Sequence, residues 1–266
     1  MIEMYHFWDS PCCFKVRMVL AEKEIEWTPK LIASVKFDHF RPDYQSLNPH
    51  SIVPTLIHEG SVLFQSNVIA EYLDEAFPES RLQPEGTADR AIMRQWMHDE
   101  QAYLFPLIVT MTFNLMMTLR AKAYGMDQLR KWSKMHPDQA RAQDYLKRVS
   151  SPVDQKAVDI AADRFSWHME RLEKQINASG GPWICGKTYS LADITIAPIL
   201  DRMEYLNLLR VLENSPRVLN WFDQIKARTA FSTAAPPFDY RMWGPKKPVP
   251  DKQVSADAPY GSFPSA

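Results

Sequence analysis

The sequence predicts a small α/β layer followed by an all-helical region. Three observations predict it. A β-rich run, an amphipathic helical run and a second β-rich run follow one another between Glu3 and Ile32. Two more β-rich runs, Thr55-Leu56-Ile57 and Val62-Leu63-Phe64, flank the two-residue turn Glu59-Gly60 and lead at once into a helical pattern. Beyond Thr87 strand signals vanish and helical periodicity takes over.

Taken in order, Glu3 to Trp8 reads as a strand. Asp9-Ser10-Pro11 is a helix-start signal with proline in the first turn. Phe14 to Lys23 carries Val16, Val19 and Leu20 between charges, an amphipathic helix. Ile25 to Ile32 is a second strand, and a strand–helix–strand unit this short makes the two strands parallel. Ala33 to Leu47 is loop with a short helix. The pair around Glu59-Gly60 is an antiparallel hairpin. Ser66 is placed to cap a helix over Asn67 to Phe77. The order β-α-β then β-β-α, with Pro54 ahead of the third strand, is a thioredoxin-like layer.

Residues Phe77 to Thr87, rich in Pro, Glu and Gly, mark a boundary. The division expected is an α/β domain over 1–80, a linker over 81–87, a helical domain over 88–233 and an extended tail over 234–266. Within the helical part, Asp89 to Phe105 is one helix. Pro106 starts or kinks the next, through about Tyr124. Met126 to Ser151 is charged and polar. Pro152 to Asn177 is a long helix broken by Ser179-Gly180-Gly181-Pro182. Ser190 and Asp193 fit a capping box ahead of an apolar run. Ser215-Pro216 starts a last helix through about Arg228.

Composition narrows the function. Net charge is −1 and charged residues make up 24%, so neither nucleic acid nor an anionic membrane surface is an expected partner. Three cysteines, two of them adjacent, form no zinc pattern and no disulfide framework. No metal is expected. The N-terminus MIEMYHFW lacks a basic region followed by an apolar core, so a cytoplasmic location is expected. Gln101 to Leu119 holds no charged residue and approaches membrane-spanning length. Its Gln, Asn, Thr and Pro residues favour a buried or pocket-lining pair of helices.

Two stretches carry chemistry. A cis Val53-Pro54 bond would let the Val53 backbone pair with an extended, peptide-like ligand. The free N–H groups where Gln65-Ser66 meets its helix can hold a carboxylate. A hairpin followed by a capped helix with no ligand is the plain alternative. Ser10-Pro11-Cys12-Cys13 sits where the first strand meets the first helix. Ser10 stands where a dithiol enzyme needs its first cysteine, which argues against disulfide exchange. A hydroxyl there can donate to a bound thiolate, or simply cap the helix. Cys12 and Cys13 read by default as small buried residues.

Together, S-P-C-C-F-K-V-R, N-P-H-S-I-V-P-T-L, F-Q-S-N-V-I-A-E-Y-L and Y-S-L-A-D-I resemble the cytosolic glutathione transferase superfamily. The resemblance reaches to about Phe231. It implies a thioredoxin-like N-terminal domain, an all-helical C-terminal domain, glutathione as co-substrate and a homodimer. It implies that Val53 and Pro54 pair with the cysteinyl moiety and that Gln65 and Ser66 take the γ-glutamyl group. It places Ser10 at the catalytic turn, with Cys12 as its competitor for the thiolate. Ile52 departs from the Gln or Lys often found there, which leaves Lys36, His39 or His50 to meet the glycine carboxylate. The loop S-V-K-F-D-H-F-R-P-D-Y, the insertion Met126–Ser151 and Y-L-D-E-A-F-P-E-S are most similar to bacterial glutathione-dependent β-etherases. That implies a thiolate attack that cleaves an aryl ether beside a ketone, with Met97–Met117 lining a pocket for a hydrophobic, aromatic electrophile. The rival readings are a zeta-like isomerase, a general conjugating transferase and a non-catalytic scaffold of the same fold.

Overall fold

In the first strand, β1 (Ile2–His6), the side chains of Ile2, Met4 and His6 are buried and alternate with half-exposed ones, as the pleat requires. The computed structural model describes residues 1–249. β1 pairs in parallel with β2 (Trp27–Leu31) and antiparallel with β3 (Thr55–His58). β3 forms a hairpin with β4 (Ser61–Phe64), so the sheet order is β2-β1-β3-β4. Pro29 is tolerated because β2 is an edge strand. The hairpin turn puts Glu59 at φ 49° and Gly60 at φ 80°, the two positive angles that a tight two-residue turn needs.

α1 (Pro11–Glu22) starts three residues ahead of its apolar run. Every residue from Cys13 to Leu20 is buried, including Lys15 and Arg17. The one-sided amphipathic helix expected from the sequence is corrected here. α1 lies between the sheet side and the helical region, packing on α3 (Ser66–Ala76), α8 (Leu191–Tyr205) and α10 (Thr229–Ala234), and so has no solvated face. A short α2 (Pro42–Leu47) precedes the hairpin.

The sequence pattern split Asp89 to Tyr124 at Pro106. The chain instead forms one helix, α4 (Thr87–Tyr124). Pro106 has no N–H to offer Ala102, and the helix widens into a π turn over Glu100–Leu104 immediately before it. A second π turn spans Phe113–Met117. By length and composition α4 could cross a membrane; 22% of its most apolar window is buried.

The charged insertion folds as α5 (Met126–Ser133) and α6 (Gln139–Ser150). α7 (Gln155–Ser179), capped by Asp154, packs along α4. α9 (Pro216–Lys226) packs on α7. Gly181 is required where the chain turns back, since a Cβ there would lie 2.2 Å from the Gly186 carbonyl oxygen.

The capping box at α8 is present and does more than cap. Asp193 is fully buried and accepts from Ser190 N (2.9 Å), Ser190 Oγ (3.0 Å), Ile184 N (3.0 Å) and Trp221 Nε1 (2.8 Å). It thereby joins the loop after α7 to α8 and α9. The first part of the expected tail, after α10, packs back on the protein. Met242 and Trp243 are buried, Tyr205 Oη donates to the Met242 carbonyl (2.6 Å), and Met242 N donates to Asp9 Oδ2 (2.8 Å). The rest of the expected tail, 250–266, lies outside the described residues.

Candidate active site

Two cavities meet above the N-terminus of α1. One, about 320 Å³, is bordered by Ser10, Cys12, Lys15, His39, Ile52, Val53, Gln65 and Ser66, with Glu100 and Gln101 from α4. The other, about 200 Å³, is walled largely by apolar groups, among them Phe7, Ile108, Val109, Phe113 and Met117. Ser10, Ser34, Val53 and Phe105 border both. A larger groove of about 620 Å³, between Trp8, Arg17 and Trp27, holds none of the candidate site residues.

Ser10 occupies the N-cap of α1, and its Oγ accepts from Cys13 N at 3.3 Å. That bond uses a lone pair and leaves the hydroxyl proton available as a donor towards the shared mouth. Cys12 borders the polar cavity. Burial pushes its thiol up to about 12, against the pull of the Lys15 charge, so it is a neutral thiol near pH 7. Cys13 is fully buried; its thiol is likewise pushed up by burial, and its Sγ accepts from Phe7 N at 3.5 Å.

The Val53-Pro54 bond is cis, as expected. Val53 borders both cavities, while Pro54 is buried beneath. Tyr44 Oη (2.5 Å) and Asn48 Nδ2 (2.9 Å) hold the Ile52 carbonyl from behind, and both also meet Thr55 Oγ1. The loop before Pro54 is therefore fixed by side chains that the motif reading did not single out.

Ser66 was expected to cap α3. The cap residue is Gln65, at φ 73°, with no side-chain cap bond, and Ser66 opens the first turn. The cause lies beneath: Lys15 Nζ donates to Ser66 Oγ (3.2 Å) and Asn67 Oδ1 (2.7 Å) and pairs with Glu100 Oε2 at 2.7 Å. Lys15 Nζ occupies Ser66 Oγ as an acceptor, so the Ser66 hydroxyl proton is left to point elsewhere. Ser66→Ala should weaken glutathione binding by roughly 1.5–3 kcal/mol, the worth of a hydrogen bond to a charged group. Calorimetric titration checks this, and an unchanged affinity would refute the γ-glutamyl role.

Of the three side chains offered for the glycine carboxylate, only His39 reaches the cavity. Burial, with the Arg120 and His136 charges, lowers it to about 3, so it is a neutral imidazole. It stacks on Phe37 and meets Phe40, which in turn packs on His136 of the insertion. His50 packs against Phe64 and is exposed. Neither His50 nor Lys36 borders a cavity. Lys15, Asn67 and Glu100 went unnoticed in the sequence. The available signal was a lysine, Lys15, set between Phe14 and Val16 near the start of α1.

A thioredoxin-like sheet carrying a hydroxyl at its first helix start, joined to an all-helical half, defines a transferase built around a thiol co-substrate. Residues 9–76 match the family described as glutathione S-transferase, N-terminal domain, and residues 142–232 match glutathione S-transferase, C-terminal domain. The chain belongs to the glutathione S-transferase family, which uses glutathione as co-substrate. It is 27% identical over 239 residues to protein LigF of Sphingobium sp. strain SYK-6, covering 86% of this chain and 91% of that one. The crystal structure of that protein, titled beta-etherase LigF, superposes with a TM-score of 0.76 at 26% identity, covering 88% and 98% of the two chains. Maleylacetoacetate isomerase of Dictyostelium discoideum is 41% identical over 96 residues, but the match spans 35% of this chain and 44% of that protein. Glutathione transferase F7 of Populus trichocarpa shares the fold, at TM-score 0.69 and 20% identity over 88% of this chain and 97% of that one.

Proposed function

We propose that the polar cavity binds glutathione and that the apolar cavity holds an aromatic ketone bearing a β-aryl ether, whose ether bond the glutathione thiolate cleaves. The observation that carries this reading is that Ser10 borders both cavities with its hydroxyl proton unspent. The full-length likeness to LigF favours the ether substrate over the isomerase alternative, whose likeness spans about a third of the chain. On this reading residues 1–80 form the glutathione-binding domain, 81–87 the linker and 88–233 the acceptor-binding domain, and the protein works as a homodimer.

Glutathione would lie extended past Val53, with its γ-glutamyl group at Gln65, Ser66 and the first-turn amides of α3, and its glycine end towards His39. Its thiol loses a proton to solvent. Ser10 Oγ–H and the α1 dipole stabilise the thiolate. The sulfur forms a bond to the carbon beside the ketone. The carbon–oxygen ether bond breaks, and its electron pair leaves with the phenolate, which takes a proton from water. The residues contribute proximity and a lowered thiol pKa, and the ketone activates the carbon.

Glutathione-dependent phenol release from an α-keto β-aryl ether, followed against pH, tests both the substrate class and the role of Ser10. Ser10→Ala should move the rate profile to higher pH, each unit corresponding to about 1.4 kcal/mol of lost thiolate stabilisation. Cys12→Ala should leave it in place, because that thiol is already neutral. The opposite pattern gives the role to Cys12. No phenol release, with turnover of maleylacetoacetate or chloronitrobenzene instead, overturns the ether reading. Retention on immobilised glutathione without any turnover would mark a scaffold.

A further inference from the structure

The proposed chemistry makes no use of the charged insertion, α5 and α6. Yet the insertion touches the loop beside the polar cavity. That loop, residues 33–41, consists of two short 3₁₀ turns, Ser34–Lys36 and Asp38–Phe40, joined at Phe37. Ser34 borders both cavities and His39 borders the polar one. Turns this short hold little structure by themselves, so their position depends on what they pack against.

Phe37 shows what the loop packs against. Its φ is 64°, a left-handed conformation that costs a bulky side chain free energy and that glycine or asparagine adopts more readily. Strain of this kind persists where the surroundings over-determine the residue. Phe37 is buried, and its ring meets the Tyr145 ring of α6 edge-on, at 5.2 Å and 88°. It also stacks on His39, with 14° between the ring planes. Phe40, at the end of the second turn, has its ring centre 4.1 Å from that of His136, in the link between α5 and α6.

Tyr145 is itself fixed from α4. Its ring meets Phe113 edge-on at 5.9 Å and 84°, and its Oη accepts from Arg120 Nη1 at 3.2 Å. The Arg148 guanidinium, also from α6, covers the Phe113 ring at 4.2 Å. Phe113 and Arg120 border the apolar cavity, whereas Tyr145 borders neither cavity. One side chain outside both cavities thus joins the loop beside the polar cavity to the wall of the apolar one.

We propose that the insertion positions the glutathione site: Tyr145, with His136, holds the 33–41 loop in place and so sets how tightly the glycine end of glutathione is bound. Both are positioning residues, acting through Phe37 and Phe40 on Ser34 and His39. The ring of Tyr145 does this, because the ring and not the hydroxyl meets Phe37. The loss on removing it falls on the glycine end alone, since the γ-glutamyl group at Gln65 and Ser66 lies outside the loop. This rests on the reading of the polar cavity as the glutathione site.

Calorimetric titration with glutathione and with γ-glutamylcysteine, which lacks the glycine, tests this. The wild-type protein should bind glutathione about tenfold or more tighter, the range of a hydrogen bond to a charged group. Tyr145→Leu should reduce that ratio to below about threefold, while the affinity for γ-glutamylcysteine stays within about twofold of wild type. A residue that merely supports the fold would lower both affinities together. Tyr145→Phe, which keeps the ring, should keep the ratio. His136→Ala should lower the ratio in the same direction, and it decides the matter if Tyr145→Leu does not fold. No preference for glutathione in the wild-type protein overturns the proposal. So does a ratio that survives Tyr145→Leu, and so do equal losses for the two thiols. A ratio lost in Tyr145→Phe overturns the role given to the ring. Failure of both thiols to bind the wild-type protein overturns the glutathione reading itself, whereas binding of both with no preference overturns only the present proposal.

Discussion

Glu100→Ala is expected to lower the unfolding free energy by about 3–5 kcal/mol, the usual cost of removing one partner from a buried ion pair. The Lys15 and Glu100 side chains are both 2% exposed and 2.7 Å apart. Without Glu100, the Lys15 ammonium keeps only the neutral oxygens of Ser66 and Asn67 inside the protein. The loss should be larger than for any surface pair, such as Arg130–Asp127, where Asp127 is fully exposed. Urea unfolding of the variant measures it. The double change Lys15→Met with Glu100→Leu should recover most of the stability, because it leaves no charge stranded. A Glu100→Ala loss below about 1 kcal/mol would mean that water reaches Lys15 and that the pair is not a buried one.

Asp193→Ala is expected to be as costly, also about 3–5 kcal/mol, for a different reason. Four donors from three separate segments converge on that carboxylate, and alanine leaves the Ile184 and Ser190 amides and the Trp221 indole without an acceptor in the core. Asp193→Asn should cost less, since one side of the amide still accepts. Thermal and urea unfolding of the two variants should rank them in that order. Equal effects would show that geometry, rather than acceptor capacity, dominates at this position.

The parts of the fold that could be read from the sequence are those governed by neighbours in the chain. The hairpin is marked by Glu59-Gly60, because only a tight turn fits between runs of that spacing. The parallel pairing of β1 with β2 follows from a short strand–helix–strand unit, and Ser190 with Asp193 follows from local capping geometry. The candidate residues Ser10, Cys12, Val53, Gln65 and Ser66, which border one cavity, stood out in the sequence because each lies in a short motif. Hidden from the sequence were groups whose partners are remote. Lys15 finds Glu100 85 positions away, and Asp9 finds Arg202 193 positions away. Such pairs leave no period and no spacing. Ser66 was misplaced as a cap because Lys15 occupies its hydroxyl oxygen, which the helix signal cannot reveal. α4 was split at Pro106 because a π turn that accommodates a proline has no sequence signature.

The bond from Met242 N to Asp9 Oδ2 spans 233 positions, and the one from Arg17 Nε to the Ala234 carbonyl spans 217. Met242 and Asp9 both border the apolar cavity, so nearly the last part of the described chain closes it against nearly the first. During synthesis the sheet and much of the polar cavity can take shape while that side of the apolar cavity is still unmade, since contacts this distant form late. On the proposed reading of the two cavities, proteolytic trimming behind Ala235 would leave a protein that still holds glutathione but offers its thiolate to an open cleft. Substrate selection would then have been lost ahead of thiol activation.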